Sequence, residues 1–138
     1  MELFDIKTGE NYCSYVAHDR AGQIALYNAL SNPENKLGSM INNELSMKDI
    51  SIEWLELPNR EGEMHTVPRV IIFDDKGKTY VATSIGIFTA IQRIAKIIGS
   101  PTWEDPLKLR VMQVDSKDNI VLTLRLVSHS SLNVGTVG

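Results

Sequence analysis

Arg69-Val70-Ile71-Ile72-Phe73-Asp74-Asp75-Lys76-Gly77-Lys78-Thr79-Tyr80-Val81-Ala82-Thr83-Ser84 is the stretch that decides the fold. Two runs rich in β-branched and aromatic residues, Arg69 to Phe73 and Thr79 to Thr83, flank Asp74 to Lys78, and that turn chemistry folds one strand back on the other. Pro68 marks the entry of the first strand, where no ladder donor is needed. Ser84 then caps a helix running to about Ile98. Ile87, Ile91, Ile94, Ala95 and Ile98 fall on one stripe of it, while Gln92, Arg93 and Lys96 face the other way. Gly99 closes the helix and Pro101 forbids its continuation. So many isoleucines lower intrinsic helix propensity, so a sheet must hold this helix in place.

Working outward, Asp49 to Leu57 reads as a strand stopped by Pro58-Asn59-Arg60-Glu61-Gly62. Downstream, Leu107 to Val114 and Ile120 to Val127 flank a turn at Asp115 to Asn119. Leu107, Leu109 and Val111 point to the core while Lys108, Arg110 and Met112 point out. In the last strand Ile120, Leu122, Leu124 and Leu126 point one way, and Val121, Thr123, Arg125 and Val127 the other. The order strand, strand, strand, helix, strand, strand is that of a β-rich α+β chain with an OB-fold-like five-stranded barrel.

Before the barrel, Tyr12 to Ala17 is rich in strand formers. Asp19 caps a helix over 20–31, with Ile24, Ala25, Leu26 and Leu30 as a partial stripe, ended by Asn32-Pro33. A second short helix is expected from Asn35 to Asn43. The chain thus reads as one domain over 1–127, with 1–47 an N-terminal addition of strand and helix and 48–127 the barrel. Residues 128–138 lose all periodicity and read as a flexible tail.

The 138 residues are 43% apolar and 22% charged, enough to bury a core and unlike a disordered chain. A lone cysteine, Cys13, forms no internal disulfide, and neither a signal-like start nor an apolar run of membrane-spanning length occurs. These features point to the cytoplasm and to no membrane partner. Net charge is −3, distributed as −5 over residues 1–58 and +2 over 59–138. Cations therefore gather in the part read as the barrel, although only clustering on one face steers a polyanion.

Chemistry-bearing constellations are scarce. His18, His65 and His129 lack metal-ligand spacing, and Glu63-Met64-His65 is not a helical i, i+4 pair. Cys13 has no basic neighbour to activate it. Ser84-Ile85-Gly86 lacks the glycine that precedes a nucleophile-elbow serine, and a helix cap explains the serine. Asp75-Lys76-Gly77-Lys78 joins strand to strand, which is no phosphate loop. Asp74-Asp75 fits a solvated turn better than a Mg²⁺ pair. No cofactor, no metal and no enzyme are expected, a metal-dependent nuclease being the third-ranked reading.

Single-strand binding requires cations along phosphates and flat side chains on which bases stack, each stacked base contributing about 1–3 kcal/mol. Candidate cations are Arg60, Arg69, Lys76, Lys78, Lys108, Arg110 and Arg125. Candidate platforms are Trp54, Phe73, Tyr80 and Trp103, with Tyr12, Tyr15 and Tyr27 in the N-terminal part. Trp54 continues the period of Ile50 and Ile52 and so reads as core. Phe73 reads as platform or core, Tyr80 as exposed, and Trp103 as a lid over the barrel end or a contact. If the face of Arg69, Ile71 and Phe73 coincides with that of Lys78 and Tyr80, the hairpin frames two aromatics with cations. Arg69, Lys76, Lys78, Tyr80 and Arg110 are then the leading contacts.

The stretch Pro68 to Tyr80, with Ser84-Ile85-Gly86-Ile87-Phe88 and Trp103-Glu104, resembles single-stranded-DNA-binding proteins of small tailed phages that infect Gram-positive bacteria and replicate by protein priming. The resemblance covers most of residues 1–127. It implies coating of displaced single strands with little sequence specificity, single-stranded DNA and replication proteins as partners, no cofactor and no catalysis. Ser128 to Gly138 contains no acid, unlike the partner-recruiting tails of bacterial single-stranded-DNA-binding proteins. The alternative reading is a protein-interaction module docking on a replication or host protein.

Overall fold

The computed structural model describes residues 5–115 and 120–127. In chain order the elements are β1 (Tyr12–Cys13), α1 (Arg20–Ser31), β2 (Asn35–Lys36), a 3₁₀ turn (Leu37–Met40), β3 (Glu44–Pro58), β4 (Met64–Asp74), β5 (Thr79–Thr83), α2 (Ile85–Ile98), β6 (Leu107–Asp115) and β7 (Ile120–Leu126). The strands form one sheet in the order β2-β5-β4-β3-β6-β7, with β1 also paired to β3. All pairings are antiparallel except the short β2–β5 contact. The result is a β-rich, curled half-barrel with two helices, compatible with an OB-like fold.

β3 organises the sheet. One of its sides pairs with β4 over Met47 to Pro58, and the other is shared by β6 at Glu44–Met47 and β1 at Ser51–Ile52. Its register shifts between Met47 and Asp49. The extra residue changes the phase of alternation, so that Leu45 and Met47 before it and Ile50 and Ile52 after it all face the core. This explains why the strand starts at Glu44 and not at Asp49: a bulge interrupts the alternation without ending the strand.

The core lies between the sheet and α2, where Ile87, Phe88, Ile91, Ile94 and Ala95 pack on Ile50, Ile52, Val70, Ile72 and Leu109. Ser84 Oγ accepts from the Ile87 N–H at 3.2 Å, which caps α2, and Gly99 follows at φ +119°. Ile98, placed on the buried stripe by spacing alone, is about half exposed because it sits in the last turn. α2 approaches β7 so closely at Gly86 that an added Cβ would stand 2.5 Å from the Leu122 carbonyl oxygen and 2.9 Å from Val121 Cγ1. We expect Gly86→Ala to destabilise the protein by about 1–3 kcal/mol, the usual range for overpacking, read as a lowered midpoint in urea.

Three local expectations are corrected. Asn35–Asn43 is not a helix: Asn35 and Lys36 pair with Tyr80 and Val81, and only Leu37–Met40 coil into a 3₁₀ turn. The first strand stops at Cys13 because the next residue, Ser14, engages Ile50 through its side chain, Oγ accepting from the Ile50 N–H at 3.0 Å. Pro68 lies inside β4, opposite Trp54, not at its entry. The β4–β5 ladder begins one residue later, at Arg69↔Thr83, so the proline occupies a stretch where β4 has β3 alone as neighbour. The loop residues 116–119, the side chain of Ile120 and the tail 128–138 lie outside the described residues.

The N-terminal segment is woven into this architecture. Ile6, Leu37 and Leu45 belong to the core cluster, and Gln92 of α2 donates from Nε2 to the Ile6 carbonyl at 2.7 Å. α1 spans the expected residues, with Asp19 Oδ1 accepting from the Gly22 N–H at 2.7 Å, yet none of its residues is buried. No described helix is long and apolar enough to cross a membrane.

Candidate nucleic-acid interface

The β4–β5 hairpin sorts the candidate residues onto opposite faces. Five residues, Asp74 to Lys78, separate the last facing pair Phe73↔Thr79. Arg69, Ile71 and Phe73 therefore share a face with Thr79, Val81 and Thr83, while Tyr80 stands opposite Ile72 in the core. The two faces do not coincide, and the framed pair of aromatics expected from the sequence does not form. Tyr80 is 7% exposed, and burial pushes its phenol pKa up, with Asp74 and Glu34 adding to the shift. It presents no ring face to bases in this structure, which corrects the expectation of an exposed platform.

Other members of the candidate set are also placed elsewhere. Phe73 is 5% exposed, covered by Tyr15, whose ring stacks on it at 5.0 Å between centroids and 23° between planes. Trp103 is buried, its indole N–H donating to the Gly99 carbonyl and its backbone N–H to that of Lys48. It is a fixed part of the wall, not a contact platform. Trp54 meets Phe88 edge-on at 4.9 Å, as a core reading requires. The Arg69 guanidinium is committed, donating to the Leu30 carbonyl at 2.7 Å and to Glu53 at 3.2 Å. Arg60 stands at the exposed β3–β4 turn among Glu56, Glu61 and Glu63, an acidic arm that does not favour phosphate.

The structure does bring together the cations of the second hairpin. Alternation puts Leu109 and Val111 in the core and so Lys108 and Arg110 on the opposite face. Arg110 is the direct partner of Arg125 across the β6–β7 ladder, and Glu44 and Ser46 of β3 lie opposite Arg110 and Lys108. One carboxylate, Glu44, pairs with Arg110 at 2.7 Å. Among the described residues neither Lys108 nor Arg125 has an acidic partner. Two like charges directly opposite on a ladder oppose folding. An anion laid across them relieves that repulsion.

The β4–β5 turn, with two acids and two lysines, lies beside this face. The Asp75 N–H donates to the Ser46 carbonyl at 3.1 Å, so the turn carrying Lys76 and Lys78 abuts the strand facing Lys108. Asp74 builds that turn, its Oδ1 accepting from the Lys76 and Lys78 N–H groups at 2.8 Å each, with Gly77 at φ +85°. Between the turn, the bulge and α1 lies a cleft of about 270 Å³ lined by Tyr15, Lys48, Asp49, Phe73 and Asp74, among others. Lys48 and Asp49 were not among the sequence candidates. Their signal was the break in alternation between Met47 and Ile50, which marks the bulge.

A family model described as phage single-stranded DNA-binding protein matches residues 6–127. The chain belongs to this family. The match includes the N-terminal segment from Ile6 onward, the same residue at which the core begins. No curated protein and no solved structure matches the chain. Family membership makes single-stranded DNA in phage replication the ligand against which the cationic face is to be read. Among the described residues no three His, Cys, Asp or Glu side chains gather where they could hold a metal ion.

Proposed function

We propose that this phage single-stranded DNA-binding protein coats displaced single strands in the host cytoplasm, without catalysis and with little sequence specificity. The sugar–phosphate backbone runs over Lys108, Arg110 and Arg125 and on toward Lys76 and Lys78. The carrying observation is the pairing of Arg110 with Arg125 on one ladder rung beside Lys108, three cations against the single carboxylate of Glu44. Backbone contacts by cations give affinity without reading sequence.

Quenching of tryptophan fluorescence tests this, since Trp103 is bonded to Lys48 at the edge of the face. Titration with oligo-dT should saturate, with a log–log salt slope of about −3 from four to five phosphate contacts. Duplex of equal length should bind far more weakly. Equal responses to both, or none, would remove the proposal. A second reading, docking on a replication protein, draws on α1, where Ile24 and Tyr27 are 54% and 70% exposed. A protein partner retained after nuclease treatment is its signature.

A further inference from the structure

We infer that the cleft beside α1 is a seat for one unstacked nucleobase of the bound strand, and that it favours bases carrying an exocyclic amino group. The inference rests on the single-strand reading above and adds to it a defined base contact. At about 270 Å³ the cleft is smaller than the roughly 300–1,000 Å³ of sites for drug-sized molecules, and it suits a single ring system. Its aromatic wall is the Tyr15–Phe73 stack, in which Phe73 is buried and Tyr15 is partly exposed. A base added at Tyr15 extends an existing stack, the geometry by which single strands are held irrespective of duplex form.

Charge decides which part of the nucleotide enters. Asp49 and Asp74 line the cleft and repel phosphate, whereas Lys48 at its wall and Lys76 and Lys78 on the adjoining turn attract it. The base therefore points in and the backbone stays at the rim, continuous with the cationic face.

Asp49 supplies selectivity. Its Oδ1 already accepts from Ser14 Oγ at 2.8 Å and Thr102 Oγ1 at 2.5 Å, which pins the side chain between the N-terminal segment and the loop before β6. Among the described residues its other oxygen receives no hydrogen bond, and it is not among the buried atoms left without a partner. A carboxylate oxygen presented this way accepts from an amino group such as cytosine N4, while thymine offers a carbonyl oxygen at the equivalent position.

The test compares the full-length chain with its Tyr15→Ala, Tyr15→Phe and Asp49→Asn variants by fluorescence anisotropy on labelled oligo-dC and oligo-dT of equal length. The unsubstituted protein should bind oligo-dC about five- to tenfold more tightly than oligo-dT. Tyr15→Phe should keep that pattern, and Tyr15→Ala should weaken both ligands by about tenfold or more. Asp49→Asn retains an acceptor for Ser14 and Thr102 but turns an amide donor toward the cleft, so the preference should move to oligo-dT.

Photocrosslinking with 5-iodocytosine oligomers, followed by peptide mapping, reads the seat in the unsubstituted protein and needs no variant to fold. Crosslinks at Tyr15 support the seat; crosslinks confined to β6 and β7 overturn it while leaving the single-strand reading intact. Equal affinity for the two homopolymers that Asp49→Asn does not alter overturns the amino-base preference. Absence of binding to either homopolymer sinks the single-strand reading and the seat together.

Discussion

Replacing Lys108, Arg110 and Arg125 together by alanine is expected to weaken single-stranded DNA binding on the order of fiftyfold at 0.15 M salt, for every sequence alike. Each phosphate contact on a single strand contributes about 0.7 to the slope of log affinity against log salt, so three contribute about 2. Measured from a 1 M reference down to 0.15 M, that slope corresponds to the stated factor. The slope of the triple variant should itself be shallower by about 2, which separates lost phosphate contacts from a damaged fold. Stability should hardly fall. The Arg110–Glu44 pair is surface exposed, where ion pairs contribute about 0–1 kcal/mol, and removing Arg110 and Arg125 also removes a like-charge rung. Anisotropy titrations at several salt concentrations, with a urea melt alongside, check both halves. An unchanged slope would place the DNA elsewhere on the molecule.

Much of the sheet was legible because its signals are local. Alternation placed Leu109 and Val111 of β6 in the core and Lys108 and Arg110 on the opposite face. It also separated Leu122 and Leu124 of β7, which pack on the core, from Arg125; Leu126 of the same row is 40% exposed. A capping serine, an isoleucine stripe and a terminal glycine placed α2 to the residue at its start. The β4–β5 site failed for a reason that counting could have resolved. A five-residue turn makes Phe73 and Thr79 partners, so Tyr80 must share the face of Val70 and Ile72, which belongs to the core. What no local signal reveals is pairing across long separations. Asn35 and Lys36 join β5 only because the sheet offers an open edge there. Arg69, read as a free cation, is neutralised by Glu53 across the ladder and by the end of α1. The cleft likewise combines Tyr15 and Asp49, whose chain neighbourhoods say nothing of each other until Ser14 bridges them.

Leu37→Ala measures how far the N-terminal 47 residues belong energetically to the core of the barrel. Read along the chain, this segment is an addition packed on the barrel within one domain. In the fold, Leu37 has no exposed surface and sits in the same cluster as Ile72, Tyr80 and Phe88, while Ile6 and Leu45 of the same segment pack there too. Truncating a fully buried leucine removes its transfer free energy and leaves a cavity that the surroundings close only in part. The loss is therefore expected at about 2–5 kcal/mol. For a domain of this size, whose total stability is about 5–15 kcal/mol, that is a large share. An appendage would behave differently: its removal would cost less than about 1 kcal/mol and leave the melting transition of the barrel in place. A single cooperative urea transition, shifted as a whole in Leu37→Ala, is the expected outcome. A separate early transition, with the main one unmoved, would show that the segment folds on the barrel and not as part of it.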